Sequence, residues 1–377
     1  MATTPCLSYR MKQPKTLFLV VIALLPLVLV SCSSIFGGAS VSGGWAGTAF
    51  RDGIIYAGTR DGRVVAINSS TQSQQWNCTF NTRIYTTPIV DGDLVYVGTY
   101  SGQVCALTIA GGAERWVYPR TGSIGAVVGT PVVTNETIYI SSSDGRVYAL
   151  DTTYGDLKWK SEPLADKLWT SPTVMNDTLY VSTFDGHIYA LSAETGELLD
   201  WSFKSEAGFA SSPVSDGDTI FLGSFDRHLY AVEIGSNVSM WKFPQEKPAV
   251  NWFWASPVVN EGVVYAGCLD GRLYAIEAKT GKKLWEFDAG SPIVSSPVLM
   301  DNLLIVVDES GTVYVFDLGA ALGNEAVPLK TISIGAAVRS PFCAQEGLVY
   351  IRGEDNQLYV VDIDKGQVSW KVSLTTK

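Results

Sequence analysis

Short apolar runs separated by turn residues recur along the chain from residue 44 to residue 377. Runs this short, rich in β-branched and aromatic residues and bounded by glycine-containing turns, are typical of β-strands. Their spacing of roughly 40 residues is a repeat period, and it predicts eight copies of one four-stranded unit. The clearest copy contains, in order, Ser256-Pro257, Val263–Gly267, Asp270-Gly271, Leu273–Ile276, Thr280-Gly281 and Trp285.

We label the four predicted strands of each copy A to D. A proline opens strand A, where the missing N–H is tolerated, and Asp-Gly pairs between strands B and C predict two-residue hairpin turns. The tryptophan of strand D is expected to pack against the neighbouring copy. The prolines are Pro88, Pro131, Pro172, Pro213, Pro257, Pro297 and Pro341, with Ala49 in the first copy. The tryptophans are Trp76, Trp116, Trp159, Trp201, Trp241, Trp285 and Trp370, with Leu329 in the seventh copy.

Hairpin-connected units of four strands predict an all-β fold, an eight-bladed β-propeller with four antiparallel strands per blade. A solenoid is the alternative, but its end repeats would be polar, and the first and last copies are not. The pattern resembles the PQQ-like repeat family over nearly the whole region after the N-terminal segment. That family includes large quinoprotein dehydrogenases and small lipoprotein propellers of the BamB type. How the first and last blades meet is left open between face packing and an outer strand from Ser33–Gly44.

The N-terminal segment predicts an export signal and a lipid anchor. Arg10, Lys12 and Lys15 precede the apolar run 17–30, which is short for a membrane span. Small residues then lead to Cys32, as in a bacterial lipoprotein signal. The predicted divisions are a signal peptide at 1–31, a lipidated linker at 32–43 and the propeller at 44–377. Translation from Met1 and from Met11 are both compatible, and Met11 gives the more typical signal length.

Charge and motifs exclude several function classes. Residues 32–377 carry a formal net charge of −13, which disfavours nucleic acid as a partner. The chain has two histidines, no HExxH and no Gly-x-Ser-x-Gly, so neither a metal site nor a hydrolase is predicted. The dehydrogenase branch of the resembled family implies a vicinal Cys-Cys and large inserts, both absent from this sequence. We therefore expect no enzymatic activity and no cofactor.

Residues that break the repeat are the candidates for function, because the repeated ones mainly specify the fold. Trp45, Trp169, Trp252 and Trp254 fall outside the repeat and precede strand A. The D–A connections and B–C turns should emerge on one face, so these residues should gather there. Aromatic residues with arginine are typical anchors of interfaces, although the same residues could instead plug the channel. The candidate binding face comprises Arg83, Tyr85, Trp169, Trp252, Phe253, Trp254 and Arg339.

The leading hypothesis is a non-catalytic scaffold that presents this face to a protein partner. It would be an exported monomer, anchored through Cys32 to the outer leaflet of the cell membrane or to an outer membrane. Resemblance to the BamB type implies a role in assembling envelope or outer-membrane proteins. The alternatives are a propeller that binds a small molecule or carbohydrate and, less favoured, a PQQ-dependent dehydrogenase.

Overall fold

The computed structural model describes residues 46–236, 238–319 and 326–375, and the predicted signal peptide, Cys32, the linker and Trp45 lie outside them. The strands of the first four blades are β1 (Thr48–Arg51), β2 (Ile54–Gly58), β3 (Arg63–Asn68), β4 (Ser73–Thr79), β5 (Ile89–Asp91), β6 (Leu94–Gly98), β7 (Val104–Thr108), β8 (Glu114–Tyr118), β9 (Val132–Thr134), β10 (Thr137–Ser141), β11 (Val147–Asp151), β12 (Leu157–Lys160), β13 (Thr173–Met175), β14 (Thr178–Ser182), β15 (His187–Ser192) and β16 (Leu198–Lys204). Those of the last four are β17 (Val214–Asp216), β18 (Thr219–Gly223), β19 (Leu229–Glu233), β20 (Ser239–Phe243), β21 (Val258–Asn260), β22 (Val263–Gly267), β23 (Arg272–Glu277), β24 (Lys283–Asp288), β25 (Val298–Met300), β26 (Leu303–Val307), β27 (Thr312–Asp317), β28 (Lys330–Ser333), β29 (Cys343–Gln345), β30 (Leu348–Arg352), β31 (Gln357–Asp362) and β32 (Gln367–Ser373).

Consecutive groups of four strands form eight separate antiparallel sheets, each ordered A-B-C-D. This confirms the predicted eight-bladed propeller. Strands B and C are almost wholly buried in every blade, whereas the D strands alternate between buried and exposed residues. The core therefore lies between the faces of neighbouring blades, and apolar clusters such as the one joining Val95 to Trp76 span each contact.

The strand D tryptophans dock on the next blade, as predicted. Four of them donate the indole N–H to a backbone carbonyl at the same position of the following blade, at 2.7–3.0 Å. A glycine of the same C–D turn lies against each indole. A Cβ atom added at this glycine would come within 2.3–2.7 Å of the ring. The docked tryptophans are Trp76, Trp116, Trp159 and Trp241, and the glycines are Gly112, Gly155, Gly196 and Gly281.

The register of strand A corrects one detail of the repeat. Val258 pairs with Tyr265 in the sixth blade, and Ala49 makes the matching pair with Tyr56 in the first. Thr48 rather than Ala49 therefore stands at the position of Pro257. In the eighth blade Cys343 makes this pair, so Pro341 lies one residue before the expected position.

The B–C turns differ from the expected two-residue hairpins. In the fourth blade four residues separate β14 from β15, and the Gly186 N–H bonds to the Thr183 carbonyl at 3.2 Å. Only the glycine of the Asp185-Gly186 pair has a positive φ, at 91°. Two-residue turns do occur, but between strands A and B, as at Asp52-Gly53. The longer B–C loop frees the residue before the aspartate to vary from blade to blade.

The aspartate of the B–C loop is a structural acceptor. Tyr274 on strand C donates its hydroxyl to Asp270 Oδ2 at 2.9 Å, and the Arg272 N–H bonds to Oδ1 at 3.0 Å. Burial, followed by the nearby Asp270 charge, raises the pKa of Tyr274. Equivalent tyrosine–aspartate bonds join Tyr148 to Asp144, Tyr230 to Asp226 and Tyr359 to Asp355.

Replacing Tyr274 with phenylalanine should lower the free energy of unfolding by about 1.5 kcal/mol, because it removes a hydrogen bond to a charged acceptor. Urea denaturation followed by tryptophan fluorescence measures the change. Tyr154→Phe, at an exposed tyrosine, is the matched control and should shift the midpoint little. Equal shifts for the two variants would contradict a structural role for this bond.

The first and eighth blades close the ring by packing, and each retains its own four strands. We call this contact the closing seam. Thr48 donates its hydroxyl to the Tyr350 carbonyl at 2.7 Å, and the Phe50 and Tyr350 rings stack at 4.8 Å. Arg63 Nη2 donates to the Leu374 carbonyl at 2.6 Å. The alternative of an outer strand from Ser33–Gly44 lies outside the described residues.

Candidate binding face

The D–A connections and the B–C loops meet on one face of the propeller, around the central channel. We call this face the mouth. In seven blades the second residue of the B–C loop donates its backbone N–H to a carbonyl of the connection that leads into the same blade, at 2.7–3.2 Å. The pairs are Tyr100 to Arg83, Ser143 to Ala126, Phe184 to Lys167, Phe225 to Gly208, Leu269 to Trp252, Glu309 to Pro292 and Glu354 to Ala337.

Two residues after each accepting carbonyl, the connection reaches the channel. The side chains at this position form an inner ring around a cavity of about 140 Å³. The ring brings together four of the candidate residues, Tyr85, Trp169, Trp254 and Arg339, and its other members are Val128, Ala210 and Val294. Trp45 has the same sequence position in the first blade but lies outside the described residues.

One arc of the mouth is aromatic. Trp169 and Phe184 meet edge to face at 4.8 Å, and Lys167 Nζ lies 4.8 Å from both ring centroids. Phe184 contacts Phe225 at 5.2 Å, and Phe225 contacts Trp252 at 5.3 Å and Trp254 at 6.0 Å. Five rings from blades four to six therefore form a continuous chain, beside the small side chain of Ala210.

The opposite arc, from blades seven, eight and one, is ionic. Arg339 Nη2 lies 2.5 Å from Glu309 Oε1. Glu354 is shared by Arg60, at 3.2 Å, and by Arg352, at 3.4 Å. The mouth thus has an apolar half and a half of paired charges.

The remaining candidates lie outside the inner ring. Trp252 stands on the outer side of the connection and packs on Phe225. Arg83 holds the equivalent place in the second blade, where a hydrogen bond with Tyr85 raises the pKa of Arg83.

Phe253 corrects the sequence prediction. It is 0% exposed and packs against Phe243 and Tyr274, in the core between blades five and six. The connection alternates outward and inward, and the inward position is also apolar in the six other blades in which the structure describes it. Its occupants there are Ile84, Val127, Leu168, Phe209, Ile293 and Val338. Phe253 is therefore a structural residue.

The sequence reasoning missed Phe184 and Phe225. Both are the second residue of a B–C loop, a position filled elsewhere by residues as different as Ser143, Leu269 and Glu309. That variability is the signal in the sequence, but a two-residue Asp-Gly turn would have no such position.

The two histidines sit beside their own loop aspartates. His187 Nδ1 lies 2.9 Å from Asp185 Oδ2, and His228 Nδ1 lies 3.3 Å from Asp226 Oδ1. Among the described residues, no group of three or more His, Cys, Asp or Glu side chains is arranged to hold a metal ion.

In the part of the chain that the structure describes, no helix has the length and hydrophobicity to span a membrane.

Comparison with known families gives a match over the whole region that contains the blades. The model for "Outer membrane protein assembly factor BamB" matches residues 33–243 and 239–377. The chain belongs to the BamB family. Family membership supports a role in protein assembly and a location in the envelope. A search of curated proteins finds no match.

Solved structures share the fold of this BamB-family chain at low sequence identity. BamB from Moraxella catarrhalis is 19% identical with a TM-score of 0.63, covering 84% of this chain and 91% of that one. The computationally designed Ika8 protein is 15% identical with a TM-score of 0.70, covering 85% and 96%. The quinohemoprotein alcohol dehydrogenase ADHIIG from Pseudomonas putida HK5 is 13% identical with a TM-score of 0.66, covering 85% and 70%. At these identities the likeness concerns the fold alone.

Proposed function

We propose that this protein is a non-catalytic scaffold, lipid-anchored through Cys32 outside the cytoplasm, whose mouth binds a protein partner during assembly of envelope or outer-membrane proteins. The observation that carries the proposal is the convergence of Tyr85, Trp169, Trp254 and Arg339 around one cavity. Tryptophan, tyrosine and arginine dominate the energetic centres of protein interfaces. Membership of the BamB family supports the same role.

The shape of the mouth suits an interface better than a channel plug. The inner ring surrounds an open cavity of about 140 Å³, about the volume that accommodates one benzene-sized group. The Lys167 ammonium group lies over the rings of Trp169 and Phe184, and the Phe184 N–H bonds to the Lys167 carbonyl. These contacts hold both rings in place. Side chains fixed before binding lose little entropy when a partner docks.

Replacing both Trp169 and Trp254 with alanine should weaken the partner complex by roughly 100-fold or more, because each is expected to contribute at least about 1.4 kcal/mol at the centre of the interface. Affinity purification of the full chain from membranes, with quantification of the co-purified partner, measures the loss. Tyr154→Ala, an exposed aromatic residue on the opposite face, should retain the partner. Thermal unfolding should show both proteins folded.

Other outcomes would favour the other functions. Loss of folding in the double variant would indicate that the tryptophans plug the channel. Glycan-array binding by the wild-type chain that is lost in the double variant of Trp169 and Trp254 would replace the protein partner with a sugar. A bound quinone spectrum with dye reduction would identify a dehydrogenase.

A further inference from the structure

The docking of the strand D tryptophan is displaced at the contact between the fourth and fifth blades. Trp201 of the fourth blade donates its indole N–H to the Ser236 carbonyl at 2.9 Å. The equivalent tryptophans donate to a carbonyl two residues earlier in the turn, which in the fifth blade would be Ile234. The bond is therefore displaced toward the tip of the C–D turn.

The Trp201 ring is also rotated. Its plane stands 86° from that of Tyr180, the partner on strand B of the same blade. The four other tyrosine–tryptophan pairs of this kind have angles of 41° to 48°. In sequence, Asn237 stands where Gly112, Gly155, Gly196 and Gly281 cover the preceding tryptophan. Gly235 does not substitute for them, since nothing lies within 4 Å of its Cβ position.

The displaced tryptophan leaves a groove of about 550 Å³ between blades four and five. We call it the Trp201 groove. It is lined by Thr178, Tyr180, Ala190, Leu199, Asp200, Trp201, Ile234 and Gly235. Exposed apolar side chains continue beyond its edges on the two D strands and the turn, namely Leu198, Val238 and Met240. The groove thus combines apolar side chains with the polar side chains of Thr178, Tyr180 and Asp200.

The rim of the Trp201 groove is acidic. Asp200 lines the groove, and Asp218 is close enough to Tyr180 to contribute, after burial, to raising its pKa. The basic residues of segment 168–243 are Lys204 and Lys242, near the ends of the two D strands, and Arg227 in a B–C loop at the mouth. The exposed acidic residues of the A–B turns, C–D turns and D strand of these two blades are Asp177, Glu194, Glu197, Asp200, Asp216 and Asp218.

We propose that the Trp201 groove is a second docking site, which binds a basic amphipathic segment of a protein partner. Apolar side chains of that segment would cover Trp201, Leu199 and Ile234, while its lysines or arginines would face the carboxylates of the rim. This combination of an apolar floor and complementary charge is how amphipathic helices bind grooves. The groove lies on the side of the C–D turns, away from the mouth, so the two sites can be occupied together.

The test uses the full chain and a fluorescently labelled 18-residue helical peptide of leucine and lysine, with a leucine and glutamate peptide of the same apolar pattern as comparison. Leu199 is 39% exposed, and Leu157 holds the same place before Trp159 in the third blade, at 42%. Leu199→Asp should weaken binding of the lysine peptide at least about 10-fold by fluorescence anisotropy. Leu157→Asp should leave it unchanged, and so should the mouth double variant.

Leu199→Asp and Leu157→Asp add the same negative charge. Comparing them therefore distinguishes binding at the Trp201 groove from nonspecific attraction of a basic peptide to an acidic protein. Asp200→Lys should also weaken binding. Equal binding by the Leu199 and Leu157 variants, or equal binding of the glutamate peptide, would overturn the proposal. Two further results would replace the occupant: a wild-type dimer in sedimentation that Leu199→Asp dissolves, or flotation with phosphatidylcholine vesicles that Leu199→Asp abolishes.

Discussion

Replacing Arg352 with methionine should lower the free energy of unfolding by about 3 kcal/mol, because it breaks a buried charge pair. Arg352 is 0% exposed, and its Nε donates to the Ala46 carbonyl at 3.0 Å across the closing seam. Its Nη2 lies 3.4 Å from Glu354. Burial lowers the pKa of Arg352, and methionine would leave the Glu354 carboxylate with weaker compensation.

Arg60 is the matched control, because it pairs with the same Glu354 from a side chain that is 32% exposed. Arg60→Met should lower the free energy of unfolding by about 0.5 kcal/mol, the usual size for an exposed pair. Chemical denaturation of both variants measures the difference. A loss below about 1 kcal/mol for Arg352→Met would show that this buried charge pair contributes little to the seam.

Replacing Gly102 with alanine should have the larger effect, at roughly 4 kcal/mol or more, a size reserved for severe backbone or packing conflicts. Gly102 ends the B–C loop of the second blade with a φ of +81°, and a Cβ there would come within 1.8 Å of the Ile124 carbonyl oxygen. The loop and the connection would have to separate, which would also break the bond from the Ile124 N–H to the Gly102 carbonyl.

Gly122 isolates the contribution of the backbone conformation. Its φ is +77°, close to that of Gly102, yet nothing lies within 4 Å of its Cβ position. Gly122→Ala should therefore cost about 1 kcal/mol, the strain of a left-handed residue alone. Equal losses in the free energy of unfolding for the two variants, measured in urea, would contradict this explanation. The close approach to Ile124 would then not account for the glycine at residue 102.

The repeat made the architecture predictable, because the same turn residues and the strand D tryptophan recur from blade to blade. Tyr85, Trp169, Trp254 and Arg339 were predictable for the complementary reason, since they break the repeat at one position of the connection. Phe253 differs from this prediction, because the run Asn251-Trp252-Phe253-Trp254 does not place all its side chains on one face. Side chains on an extended connection alternate, and the middle residue of the three aromatics faces the core.

Features that occur only in one blade or at one blade contact could not be predicted from the repeat. Arg63 and Arg352 close the ring through carbonyls about 300 residues away in sequence, at Leu374 and Ala46. Nothing local in the sequence marks such a pairing. The Trp201 groove had one faint signal, the asparagine in place of a C–D turn glycine, but the rotation of the indole depends on packing between two blades.

The position of Ala46 has a mechanical consequence. Its carbonyl is held by Arg352 at the closing seam, and Thr48 beside it is bonded to Tyr350. Under the proposed anchoring at Cys32, tension on the tether would arrive at this point and run along β1. A pull along a strand loads its ladder bonds together rather than one after another. The seam that shuts the ring would then also be the place where the protein bears force from the membrane.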